Sequence, residues 1–392
     1  MHASPSLLLL LAATACTGRA PDTSDSGDTT DSGDTTDTSD TSDTADTGDT
    51  GDTAEPVMPR IAWFADVGPV DLTPDGSIAL VQSMTTFEGE LLFIDTALDT
   101  LTSQTTLGDA GKNMATGVSA DRRISALHGI PVEAGLWGEA DGWQDIASPF
   151  DSGCDSDNGG AFDVSDDGTV AVGLMWDGCA PAAFRWTAAG GTLILDTLGE
   201  AYEGSPSPPT NRASFVSGDG LVTGGFAAYG ALDRSPARWT ADGAGELLAP
   251  DDHDQTGEVL SIDYDGSTLG VLRGNDGYVW SEAGGFVSLG RLDTAMPTDP
   301  VYPNALSRDG SAAFGGVGSE YFTVATAFVW TEADGMRSLQ DVATAAGVVV
   351  DDGYWLATVL AVSDDGTVVL GRAYTPDFAV ETFVMHIPAG AW

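Results

Sequence analysis

Positive charge is what this 392-residue chain most lacks. Lys112 and thirteen arginines stand against sixty acids, for a formal net charge of −46. Nucleic acids and anionic membrane surfaces are gripped by basic patches, so neither is expected as a partner. Histidine is almost as scarce. His128, His253 and His386 are scattered singly along the chain, and each reads as a surface or core residue rather than a ligand. There is no nucleophile-elbow Gly-x-Ser-x-Gly, no His-Glu-x-x-His and no phosphate-cradling loop. Sixty carboxylates make any single pair of acids uninformative as a catalytic signal. Cysteine occurs three times, at Cys16, Cys154 and Cys179.

What the chain does have is a period. Val362-Ser363-Asp364-Asp365-Gly366-Thr367-Val368-Val369-Leu370-Gly371 has relatives throughout. The Asp of its Asp-Gly pair falls at Asp75, Asp121 (followed by Arg122), Asp167, Asp219, Asp265, Asp309 and Asp365, at steps of 46, 46, 52, 46, 44 and 56 residues. A period of this size marks a repeat architecture. Asp-Gly between alternating apolar runs is hairpin chemistry, because Gly takes φ > 0 cheaply and the Asp side chain bonds nearby backbone N–H groups. These acids are therefore read as turn residues, not as metal ligands. Gly173, Gly225, Gly315 and Gly371 stand five residues past the turn Gly, where a strand glycine marks a bulge or a close backbone approach.

A second module follows each first one. Clear copies are Phe184-Arg185-Trp186-Thr187, Tyr278-Val279-Trp280-Ser281 and Phe328-Val329-Trp330-Thr331, each running into a Gly-containing turn. Residues two apart share a strand face, so these aromatics are expected to pack between sheets. Two hairpins per period give four strands per unit, and seven units give an all-β, seven-bladed β-propeller of antiparallel four-stranded blades. The last unit has three clear strands, while Arg60-Ile61-Ala62-Trp63-Phe64 has no partner in its own unit. Adding that N-terminal strand to the last blade closes the ring and leaves no open edge.

The N-terminal part is organised differently. In residues 1–16, Leu7–Ala13 is an apolar core too short to span a bilayer, and small residues precede Cys16. Ala13-Thr14-Ala15-Cys16 resembles a bacterial lipoprotein cleavage box, making Cys16 the expected lipidation site and the membrane a partner through that lipid; plain secretion is the alternative. Thr17 after the cysteine suits the outer membrane or cell surface. From Asp22 to Asp52 an Asp recurs every third residue with only small or polar residues between, so residues 17–57 read as a disordered tether. Residues 58–392 are the propeller.

Cys154 and Cys179 lie twelve residues to either side of the Asp166-Asp167 turn, and export into an oxidising compartment predicts a disulfide between them. No cofactor is expected; Asp155 and Asp157 in the intervening acidic loop leave a weak calcium site as the alternative.

The pattern Ser-x-Asp-Gly-x-x-Val-x-Gly, followed by Ala-Phe-x-Trp-Thr-x-x-x-Gly-Met-x-x-Leu, resembles the HAF family of extracellular repeats. The unit Thr326 to Leu339 carries the resemblance best, and Leu339 to Gly366 is similar to the family's link between modules. It covers residues 60–392 and departs at Asp95 and Arg122. The resemblance implies a surface or secreted propeller and brings no activity or catalytic residues with it.

Strand parity gives one functional expectation. The tight turns gather on one face of the ring, and the long links (148–160, 198–212, 227–235, 291–303, 318–325, 341–356 and 374–380) gather on the other. Loops on a rigid scaffold are where binding residues concentrate. Tyr202, Tyr229, Tyr302, Tyr321, Tyr354, Trp355 and Tyr374 fall on or beside those links, among acids, and are the candidate ligand-binding residues. Such a surface suits a glycan or a protein ligand. The expectation is a monomeric, non-enzymatic binding or scaffold module. A glycan hydrolase or lyase using an acidic loop face, and a purely structural surface protein, are the alternatives.

Overall fold

The computed structural model describes residues 58–392, apart from 85–89, 107–113, 129–131, 151–158, 178–179, 201–208, 230–232, 251–254 and 319–324. Its strands form seven four-stranded antiparallel sheets, the blades of a propeller. Within each blade the first strand lies innermost and touches the first strands of its neighbours. The seventh blade is built from both ends of the fold. Its outer strand is Arg60–Phe64, which pairs with Val380–His386 from Arg60↔His386 to Phe64↔Thr382. Arg60 fastens the start of that strand to blade 1 by donating to the Thr96 carbonyl (2.7 Å) and to Asp99 (3.0 Å).

The repeated sequence becomes a repeated hydrogen-bond circuit. In blade 7 the Ser363 hydroxyl donates to Asp365 Oδ1 (2.7 Å) while its oxygen accepts the Val368 N–H (2.9 Å). The same Asp365 oxygen accepts the Thr367 N–H at 2.9 Å. Gly366 supplies the left-handed residue at φ 70°. Corresponding bonds recur at Ser165–Asp167, Ser217–Asp219 and Ser307–Asp309. The Asp-Gly acids are spent on turn geometry, as their sequence context required.

Every inner strand bulges at the same place, between Pro69 and Asp71 in blade 1 and Pro303 and Ala305 in blade 6, for example. A bulge brings a carbonyl over the second strand, and the glycine five past the turn makes room for it. A Cβ on Gly315 would stand 1.8 Å from the Tyr302 carbonyl oxygen, and one on Gly225 2.0 Å from that of Arg212. The buried apolar clusters mostly straddle adjacent blades rather than filling one centre. Phe184, Trp186, Trp239, Phe328 and Trp330 are all buried, so the aromatics of the second module are packing residues.

Two links differ from expectation. Strands Val222–Tyr229 and Asp233–Thr240 leave only three residues between them, where a nine-residue link was expected. The link after blade 6 begins with a helix, Leu339–Ala345, whose Leu339, Val342 and Ala343 are buried against blades 6 and 7.

Candidate functional site

Among the described residues, members of the predicted aromatic rim come together at one sector, blade 7. Tyr202 and Tyr321 lie outside the described residues, as do Cys16, Cys154, Cys179, Asp155 and Asp157. Tyr229 ends strand Val222–Tyr229, and Tyr302 is a half-buried residue near the start of inner strand Val301–Leu306. Tyr354, Trp355 and Tyr374 all lie at the long-link end of blade 7, on two faces of its sheet. Trp355 is paired directly with Tyr374, and Tyr374 with Val380, so the three side chains share one sheet face. Trp355 remains 46% exposed. Tyr354 belongs to the opposite face. It stacks on Trp63 of the closing strand with ring centroids 4.2 Å apart, and its hydroxyl donates to Glu381 (3.2 Å). The Trp63 indole N–H donates to Asp351 at 2.9 Å.

A further residue joins this sector that the aromatic survey passed over. Thr375-Pro376-Asp377-Phe378 repeats the turn sequence Thr73-Pro74-Asp75-Gly76 with Phe in place of Gly. The two turns fold alike. Thr73 donates to Asp75 Oδ1 at 2.7 Å and Thr375 to Asp377 Oδ1 at 2.5 Å. Gly76 has φ 71° and Phe378 φ 65°. A left-handed conformation costs a bulky residue about 1–2 kcal/mol, and burial offers nothing in return, since Phe378 is 73% exposed. The signal was present as a turn motif on the wrong face of the ring.

A concave feature lies at the opposite end of the ring. A cavity of about 190 Å³ lies in the central channel and opens among the tight turns, not among the long links. Arg308 of blade 6 reaches across its mouth. The guanidinium pairs with Asp364 of blade 7 and lies 3.6 Å from Asp166 of blade 3, with the Tyr264 ring centroid 3.4 Å away. Burial, then the charge of Asp364, pushes the Asp166 carboxyl up to about 6 against the pull of Arg308.

Deeper in the channel, Asp71 and Asp163 occupy the position after the bulge in blades 1 and 3. Each clasps two blades. Asp71 accepts the N–H of Leu72 and of Val118 in blade 2, both at 2.8 Å. Asp163 does the same with Val164 and with Val216 in blade 4. Burial outweighs these bonds, holding Asp71 up to about 7 and Asp163 well above the usual carboxylate range. Among the described residues, no three His, Cys, Asp or Glu side chains converge as a metal-holding group.

The fold thus defines a class, a seven-bladed propeller closed by its N-terminal strand, with an acidic channel and one aromatic sector. No protein-family model and no curated protein matches the chain. Solved structures do, through the fold. An oligogalacturonate lyase from Vibrio parahaemolyticus aligns with a TM-score of 0.53 at 13% identity, covering 86% of this chain and 99% of that one. A virginiamycin B lyase from Staphylococcus aureus gives 0.51 at 11%, covering 84% and 100%. The propeller domain of the trilobed protease from Pyrococcus furiosus gives 0.51 at 8%, covering 83% and 94%. Identities this low show a shared fold alone.

Proposed function

We propose that this protein is an exported, lipid-anchored propeller that binds an extracellular glycan, without chemistry, through the long-link sector of blade 7. The observation that carries the reading is Phe378. A ring in a strained backbone conformation, 73% exposed, at the same long-link end of blade 7 as the half-exposed Trp355, gains nothing from burial. Apolar rings take the C–H faces of sugars, and the carboxylate of Asp377, in the same turn as Phe378, accepts sugar hydroxyls. Cys16 would carry the lipid and residues 17–57 would hold the propeller away from the surface, in keeping with the HAF resemblance.

The test uses the full-length protein on an array of neutral and amino-sugar oligosaccharides, with peptides as a second panel. Binding to a glycan, weakened at least about tenfold by W355A and by F378G, is expected. F378G should at the same time gain about 1 kcal/mol of stability, because Gly relieves the turn. An F378G protein that binds every probe as the parent does, or a parent that binds only peptides, would sink the glycan reading. For the anchor, Cys16→Ser should move the protein from the membrane to the soluble fraction of exporting cells.

The hydrolase or lyase reading has one observation in its favour. Asp166 at about 6, in a cavity and beside Arg308, is a carboxyl able to hold a proton near neutral pH. Product release from polysaccharides that disappears in D166N would favour it over pure binding.

A further inference from the structure

In a chain this acidic, each arginine is expected to be surrounded by carboxylates, and most are. Arg238 faces both Glu246 and Glu282, Arg308 both Asp166 and Asp364, and Arg291 faces Asp276. The long-link end of blade 4 reverses the ratio. Arg212 and Arg234 converge on a single oxygen of Glu258, at 3.1 and 3.2 Å. Both guanidiniums also lie over the ring of Phe226, at 4.8 and 4.2 Å from its centroid.

Placement follows from the strands. Arg212, Arg234 and Glu258 are each the second residue of a strand: Asn211–Val216, Asp233–Thr240 and Gly257–Ile262. All three strands run from the long-link face toward the tight turns, so the cluster sits at the long-link face, on the seam between blades 4 and 5. The arginine side chains keep about a fifth of their surface open. Arg212 spends Nε on Ser214 and Nη2 on Glu258, and Arg234 spends Nη1 on Glu258. The remaining N–H groups have no acceptor among the described residues.

A blade clasp alone does not account for two arginines. The other seams are bridged by bonds that need no arginine, those of Asp71, Thr116, Asp163, Ser261, Asn304 and Thr382. One arginine on Glu258 would serve equally well at this seam. A second guanidinium adds repulsion at close range and partial desolvation. Burial first, and then Arg234, lowers the basicity of Arg212. A bound anion would remove that cost.

We propose that Arg212 and Arg234 form a carboxylate-binding site on the long-link face at the seam of blades 4 and 5. Two planar forks held side by side match the two oxygens of a carboxylate. The site stands on residues separate from the aromatic sector of blade 7 and is independent of the glycan reading.

Titration calorimetry on the full-length protein at low ionic strength tests it with two acids and their uncharged twins. Methyl glucuronide is compared with methyl glucoside, and N-acetylalanine with its amide. Saturable binding of at least one acid and of neither twin is expected, and the acid that binds tells a sugar acid from a peptide terminus. Arg234→Gln should weaken it by about tenfold or more, the loss of a charge-assisted pair. Arg234→Lys keeps the charge without the fork and should fall between, which serves if the Gln variant folds poorly. Glu258→Gln removes the competing carboxylate and should tighten binding several-fold. Arg238→Gln, at a pair of acids on another face, should leave it unchanged. Failure of both acids to bind, or R234Q binding as the parent does, overturns the proposal.

Discussion

Stability should rise as pH falls from 8 to 5, because buried acids in the channel take up protons. The perturbation is protonation of the channel acids, and Asp71 sets the scale. Its carboxyl moves from an ordinary 3.8 in the unfolded chain to about 7 in the fold, mainly through burial. At 1.36 kcal/mol per pH unit that difference amounts to roughly 4 kcal/mol above pH 7. Solvent entering the cavity that Asp71 lines reduces it, to roughly 2–4 kcal/mol. A group raised in the folded state contributes stability fully below its unfolded pKa and loses it as pH climbs through the folded value. Asp163, Asp166, Asp263 and Asp364 are raised as well, all by burial first, and act in the same direction. The turn acids Asp265 and Asp309 are lowered, chiefly by bonds from Ser267 and Ser311, and Asp75, Asp167 and Asp365 by similar bonds that outweigh burial. Their stabilisation is present above about pH 4 and is lost as pH falls through their folded values. The stability maximum should therefore lie near pH 4–5. For a folded unit of this size the Asp71 contribution alone is worth roughly 3–6 °C in Tm. Calorimetric melts at pH 8, 6.5 and 5 provide the assay. Falling pH also relieves general repulsion in a chain of net charge −46, so Asp71→Asn isolates the cause. Its amide stays neutral at every pH, and the rise between pH 8 and 5, which spans about two of the three units by which Asp71 is raised, should shrink by roughly 1–3 kcal/mol in that variant. An unchanged slope in D71N, or stability falling steadily from pH 8 to 5, would refute the account.

Three substitutions test the architecture. Arg122 stands at φ 64°, where the other tight turns have Gly, so Arg122→Gly should stabilise by about 1 kcal/mol in urea unfolding. Gly315→Ala places a Cβ 1.8 Å from a backbone oxygen and should cost roughly 2 kcal/mol or more, whereas Gly138→Ala, with nothing within 4 Å, should stay within about 0.5 kcal/mol of the parent. Trp63→Ala removes the stack on Tyr354, the edge contact to Phe383 and the bond to Asp351. It should cost roughly 2 kcal/mol and open the closing strand first, seen as faster amide exchange along Val380–His386.

What the sequence by itself determined was whatever is local or periodic. Ser-x-Asp-Gly closes its own turn within six residues, so four copies and three variants (at Asp75, Asp121 and Asp265) meant seven hairpins. An apolar pentapeptide at Arg60–Phe64 with no neighbour to pair with, and a last unit one strand short, meant ring closure. In four blades the glycine five past the turn (Gly173, Gly225, Gly315 and Gly371) announced the bulge carbonyl it now faces. Even Arg212 and Glu258 stand one period apart, 46 residues, the mark of neighbouring blades.

Tertiary structure decided the rest, because the remaining chemistry is made between blades. Asp71 and Asp163 look like two acids among sixty until the bulge turns each, half-buried in the channel, toward the N–H of the next inner strand. The channel mouth joins Arg308 to Asp166 and Asp364, residues 142 and 56 positions away that meet only because the ring closes. The face of the ring on which a turn falls gave Phe378 its exposure, while the same Thr-Pro-Asp sequence in blade 1 carries a buried glycine. Local hydrogen bonds are written in neighbouring letters; burial and field depend on what the other blades bring near, and no stretch of sequence carries that by itself.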